Sequence, residues 1–140
     1  ARERIDAHDL GALRALTSAV DTIWITGNHD PSPPDDIGGA IMREVTLGSV
    51  TLRHEPRRLG EGELEIAGHL HPAAAIHQRG RRIRCRCFIA DQRRIIMPAF
   101  GSYTGALGIG SDAFDGLFGD FHVWMLGGRA IHRFPASKVR

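Results

Sequence analysis

Twice in this chain a short apolar run rich in β-branched residues stops at a glycine and then delivers histidine. The first is Thr22-Ile23-Trp24-Ile25-Thr26 ahead of Gly27-Asn28-His29, and the second is Leu64-Glu65-Ile66-Ala67 ahead of Gly68-His69-Leu70-His71. Runs this brief, bounded by glycine, read as strands emptying into loops. In α/β sheets, polar groups just beyond the strand ends line the crevice in which ligands bind. The repeated pattern therefore predicts a mixed α/β fold whose chemistry sits at strand termini.

The remaining elements follow from spacing and punctuation. Leu10, Leu13, Leu16 and Val20 recur every three or four residues, which predicts an amphipathic helix over 8–20 packed on a sheet, with Asp6 available as its N-terminal cap. The stretch 27–39 holds Pro31, Pro33 and Pro34 and reads as a surface loop. Segments 41–47 and 50–53 flank Gly48-Ser49, the signature of a hairpin with a tight turn. Strands are expected over 83–90 and 94–97, a long glycine-rich connection over 101–119, and a closing hairpin from 121–126 and 130–134 around Gly127-Gly128.

Composition narrows the class. At 140 residues, 42% hydrophobic and 24% charged, the chain suits one globular domain or part of one and not a disordered segment. No run approaches the roughly 18 apolar residues of a membrane span, and the charged start lacks a signal-peptide core, so a cytoplasmic location is expected. Cys85 and Cys87, the two cysteines, are too close together to staple a useful loop, which fits a reducing compartment and burial in the core. Seventeen arginines face one lysine, and seven of them fall between Arg79 and Arg94. On a strand Arg82, Arg84 and Arg86 share one face, either as a surface for nucleic-acid phosphates or as a solvated hairpin face paired with acids. Gly108-Ile109-Gly110-Ser111-Asp112-Ala113 has the letters of a dinucleotide-binding turn without the preceding strand and βαβ setting. His8, His77, His122 and His132 have no partner that the sequence assigns.

Imidazole is the commonest transition-metal ligand and an asparagine carbonyl is an acceptable one, which makes Asn28, His54, His69 and His71 candidate ligands. Were Gly68-His69-Leu70-His71 extended, both imidazoles would project to one side.

The ordered set Gly27-Asn28-His29-Asp30, then the isolated His54, then Gly68-His69-Leu70-His71 resembles the later motifs of the calcineurin-like metallophosphoesterase superfamily. The surrounding text, ITGNHDP, LRHEP, IAGHLHPAA and CRCFIADQRRIIMPAFGSYTGALGIG, is similar to the bacterial DNA-ligase-associated metallophosphoesterases, also described as DNA damage response endonucleases. The resemblance implies a sandwich of two mixed β-sheets flanked by helices. It implies that Asn28, His54 and His69 bind one divalent metal and His71 a second, the ions being manganese, iron or zinc. It also implies that His29 protonates the leaving group while Asp30 holds its ring. The implied activity is two-metal hydrolysis of a phosphodiester, with DNA as substrate in repair and a functional association with DNA ligase.

The superfamily's earlier motifs, Asp-x-His and Gly-Asp-x-x-Asp, have no counterpart upstream of residue 28. Asp6-Ala7-His8 shares the letters of the first but opens a helix rather than following a strand. The expectation is that 1–140 is the C-terminal part of one such domain, lacking the N-terminal strands. It would then hold at most one metal, hydrolyse little by itself, and associate with itself or with its missing part. The alternatives are a non-catalytic binding or scaffold module and a phosphoesterase for small esters or cyclic nucleotides.

Overall fold

The computed structural model describes residues 6–28, 37–101 and 104–139, and the chain divides into two units, 1–45 and 46–140. The first unit opens with α1 (Ala7–Ala19), capped as expected by the Asp6 carboxylate, which accepts the Asp9 N–H at 2.9 Å. Leu10 and Leu13 are half-buried while Leu16 and Val20 are each 53% exposed. The helical period is borne out, but the expected packing face is not, since no residue of α1 is buried. After α1 come β1 (Ile23–Ile25) and β2 (Ala40–Met42), which pair in parallel with Ile23 opposite Ala40 and Ile25 opposite Met42. Trp24 ties this ribbon to the loop by donating its indole N–H to the Gly38 carbonyl at 2.8 Å. Most of the proline-rich loop falls outside the described residues.

Segment 41–47 is not one strand. It breaks at Arg43, so that β2 joins β1 while β3 (Glu44–Leu47) pairs with β4 (Val50–Arg53). β3 straddles the division between the units. The turn between β3 and β4 is Gly48-Ser49, with Gly48 at φ 62°. A positive φ at the first turn position needs no Cβ and suits a two-residue hairpin. The sheet runs β11-β10-β7-β8-β5-β4-β3, with β6 on β7 and β9 on β6. Its members are β5 (Leu64–Ala67), β6 (Pro72–Gln78), β7 (Arg81–Ala90), β8 (Arg94–Ile96), β9 (Leu107–Gly108), β10 (His122–Leu126) and β11 (Ile131–Pro135). The architecture is mixed α/β built on a multi-stranded mixed sheet, and the expectation of that class holds.

Two regions of this sheet differ in direction. β4, β5 and β8 are parallel neighbours, while β7 runs antiparallel to β6, β8 and β10, and β10 runs antiparallel to β11. The ten residues of β7 are shared out along their length: 81–86 pair with β6 and 87–90 with β10. The strand β6 was not expected from the sequence. Its Pro72-Ala73-Ala74-Ala75 start carries little strand propensity, yet these residues are buried, with Ala74 fully enclosed. Small side chains let neighbouring groups pack close against the backbone, a tertiary demand that overrides propensity. Proline is admissible as the first strand residue.

Ala74, Cys87, Ile89, Val123, Met125, Phe114 and Val139 form the main apolar core. Cys87 belongs to it, as expected, and burial pushes its thiol up to about 12 from an ordinary 9.0. A thiol held protonated is neither a nucleophile nor a ready metal ligand. The 101–119 connection is more ordered than expected, holding β9 and a short 3-10 turn, Asp112–Phe114. No described helix is long and apolar enough to cross a membrane.

Candidate metal centre

The parallel register of β4 and β5, with Arg53 opposite Ala67, sets His54 beside Gly68 at the carboxyl ends of two adjacent strands. The Gly68 N–H donates to the His54 carbonyl at 2.9 Å, locking the two strand exits together. β8 ends alongside, its exit fixed by the Met97 N–H on the Ala67 carbonyl at 2.7 Å.

Beyond Gly68 the backbone is not extended. His69 has φ 64° and His71 has φ 47°, and the Leu70 N–H donates to the Gly68 carbonyl at 2.7 Å. A two-residue-span hydrogen bond around a residue of positive φ is a γ-turn of the rare, strained kind. This corrects the strand-alternation argument: the two histidines project from a contorted turn, not from one face of a strand. Bulky L-residues enter the left-handed region only at a cost, and such residues concentrate at functional sites.

The turn brings His69 to His54. His69 Nδ1 lies 3.2 Å from His54 Nε2, and the rings meet edge to face with centroids 5.0 Å apart. Two imidazole nitrogens roughly 2.0 to 2.1 Å from a common ion stand roughly 3 Å apart at right-angled coordination and roughly 3.3 Å apart at tetrahedral coordination. The observed separation therefore fits a shared cation as well as a hydrogen bond between neutral rings. The second nitrogen of His69 faces the Glu55 carboxylate at 4.0 Å, an electrostatic approach too long for a hydrogen bond. Metal-bound imidazoles commonly direct their second nitrogen at a carboxylate.

Of the residues singled out from sequence, the structure unites His54 and His69 and places His71, half-buried, on the same turn. Asn28 belongs to the first unit, three residues past β1. His29 and Asp30 lie outside the described residues. Arg82, Arg84 and Arg86 are all on β7, but the last two are engaged within the chain. Arg84 donates to the Ala106 carbonyl at 2.7 Å, and Arg86 to the Ala99 and Thr104 carbonyls at 3.1 and 3.3 Å. Arg82 and Arg84 are exposed and Arg86 is half-buried. Asp6, His8 and Asp9 also gather, all exposed, with donor atoms within 4.8 Å of one another; the capping role of Asp6 accounts for that proximity.

Sequence reasoning missed the charges behind the histidines. Glu65, fully buried on β5, pairs with Arg53 Nη1 at 2.9 Å and Arg94 Nε at 2.6 Å, both arginines also being buried. The available signal was a carboxylate in the middle of a short apolar strand, where an ionised group must be paired.

No family model matches the chain, and no curated protein matches it. Among solved structures the chain resembles nuclease MPE from Pseudomonas putida, with a TM-score of 0.68 and 25% identity over 96% of this chain. The likeness is to a nuclease. The chain spans 66% of that protein's length, and the shared fold is nuclease- or phosphoesterase-like.

Proposed function

We propose that the chain is part of a metal-dependent phosphodiesterase of the calcineurin-like type acting on nucleic acid. The observation that carries this reading is the His54–His69 pair, two imidazole nitrogens 3.2 Å apart at the exits of adjacent parallel strands, one of them held on a strained turn. The likeness to nuclease MPE from Pseudomonas putida supports a phosphodiester as the substrate class, and DNA repair in company with a ligase is the setting that the motif resemblance favours.

In this reading His54 and His69 would hold one divalent ion, manganese by preference, and His71 would contribute to a second. Bound ions of this kind supply Lewis-acid polarisation of phosphoryl oxygens and a nucleophile from water at neutral pH. His54 and His69 serve as neutral ligands, and each therefore directs a lone pair rather than a proton at the site. Glu55 stabilises the N–H that His69 presents on its far side. The motif resemblance assigns to His29 the transfer of a proton to the leaving oxygen, with Asp30 as its partner. Arg82 and Arg84, opposite His77 and Ala75 on β6, would offer exposed charge to phosphates further along the nucleic acid.

The test is Mn2+ binding by the chain and its His54→Ala and His69→Ala variants, followed by paramagnetic resonance, with bis-p-nitrophenyl phosphate hydrolysis measured alongside. Binding by the parent and its loss in both variants is expected. A parent that ignores Mn2+, or variants that bind as well as it does, would overturn the proposal.

A further inference from the structure

The buried carboxylate of Glu65 does more than pair with two arginines. Its Oε1 accepts from Arg53 Nη1 at 2.9 Å and from the Arg57 backbone N–H at 3.2 Å, while Oε2 accepts from Arg94 Nε at 2.6 Å. Arg53 and Arg57 are the residues on either side of His54-Glu55-Pro56. One carboxylate oxygen thus grips both ends of the turn that carries His54. Arg94 reinforces the grip, because its Nη2 donates to the Arg57 carbonyl and its Nη1 to the Leu117 carbonyl. The backbone N–H and C=O of Arg57 are therefore both held from beneath by the same buried group. From its other side, the turn is held through the His54 carbonyl by Gly68.

We propose that Glu65 is a positioning residue: it fixes the 53–57 turn so that His54 Nε2 meets His69 within ligand distance of a common divalent ion. The proposal rests on the reading of His54 and His69 as metal ligands. Stability alone is a poor reason for the arrangement, since a buried Arg–Glu–Arg group can often be replaced by apolar residues of similar volume without loss. Two arginines on one carboxylate also give the buried trio a net positive charge. What an apolar trio cannot supply is a directional hold on the Arg57 amide. Partners behind a metal ligand commonly change affinity by roughly 10- to 100-fold when removed.

The decisive variant is Arg53→Met/Glu65→Leu/Arg94→Met, compared with the parent chain by urea unfolding, Mn2+ titration and 15N spectra of the imidazoles without metal. The triple variant should unfold at the same or a higher urea concentration, yet bind Mn2+ at least about tenfold more weakly. The parent should show His54 and His69 each in one tautomer and the triple variant should show both averaging between tautomers, with His122 on β10 unchanged. A folded triple variant with parental affinity and parental imidazole signals overturns the proposal.

Should the triple variant fail to fold, Arg57→Pro decides: it deletes the donor N–H, at the cost of fixing φ at 57 and restricting Pro56, while Arg57→Ala controls for the lost side chain. The proline variant must bind Mn2+ more weakly than the alanine variant, and equal affinities refute the positioning role. If the parent itself ignores Mn2+, the proposed function fails, and the metal-free imidazole spectra still decide whether Glu65 holds His54 in place.

Discussion

The left-handed histidines permit a prediction that inverts the usual order of two small residues. At an ordinary position glycine is less stable than alanine by roughly 0.5–1 kcal/mol, because it loses more backbone freedom on folding. At φ 64° for His69 and φ 47° for His71, an L side chain instead pays roughly 1–2 kcal/mol for the left-handed region. Subtracting the first from the second leaves glycine ahead of alanine by about 0.75 kcal/mol at each site, the ranges together spanning roughly 0 to 1.5. Comparing His69→Gly with His69→Ala removes the imidazole from both, so burial and ring contacts cancel and backbone strain remains. The assay is urea unfolding, where an m value of roughly 2 kcal/mol/M turns this difference into a midpoint shift of about 0.4 M. Both His69 variants should bind Mn2+ more weakly than the parent, whatever their stability. Alanine variants as stable as the glycine variants, or more so, would show that the turn carries no such strain and that the argument from it to a ligand site is wrong.

Other outcomes follow from the same geometry. If His54 and His69 share one ion as proposed, Mn2+ titration should saturate at one equivalent, and a second tightly bound equivalent would contradict the assignment. Cys87, raised to about 12 by burial, stays protonated in the folded chain while the unfolded thiol ionises near 9.0. Its contribution is therefore complete below pH 9 and is lost as pH rises toward 12. The parent should lose about 1 kcal/mol more stability than Cys87→Ala between about pH 9 and 10, and matching slopes in urea melts would refute this. For the arginines, Arg82→Ala should weaken DNA binding and reduce the salt slope by roughly one unit. Arg86→Ala should instead make the backbone at Ala99 and Thr104, which it holds, susceptible to limited proteolysis. The opposite assignment of these two effects would show that Arg86, and not Arg82, faces the nucleic acid.

Strand positions were legible where local pattern and tertiary demand agree. β4, β5 and β8 fall within a residue of the runs that glycine and β-branched residues delimit, and the closing hairpin turns at Gly127 as its glycines require. β6 was hidden because alanine has no strand signal of its own; its place is set by how closely the core approaches, which no window of sequence reports. The break at Arg43 was equally silent, since Ile41-Met42 and Val45-Leu47 look like one run until one half pairs with β1 and the other with β4. His54, His69 and His71 could be chosen as candidates from residue type and order. Their geometry could not, because the turn at Gly68-His69-Leu70 takes a positive φ that few non-glycine residues adopt and that surrounding contacts impose.

The direction of the strands explains why the candidate histidines and the buried charges occur together. Antiparallel neighbours put successive chain exits at opposite edges, whereas β4, β5 and β8 are parallel and release His54, Gly68 and Met97 side by side. Parallel pairing alone fixes the height of each exit, not the path that the chain takes afterwards. The ion group draws one residue from each of these same strands, Arg53 from β4, Glu65 from β5 and Arg94 from β8. Through Arg57 it also constrains the chain after β4 has ended. Parallel register sets where His54 leaves the sheet, and Glu65 sets where it goes next. Disturbing the second without the first is what separates a positioning residue from a structural one.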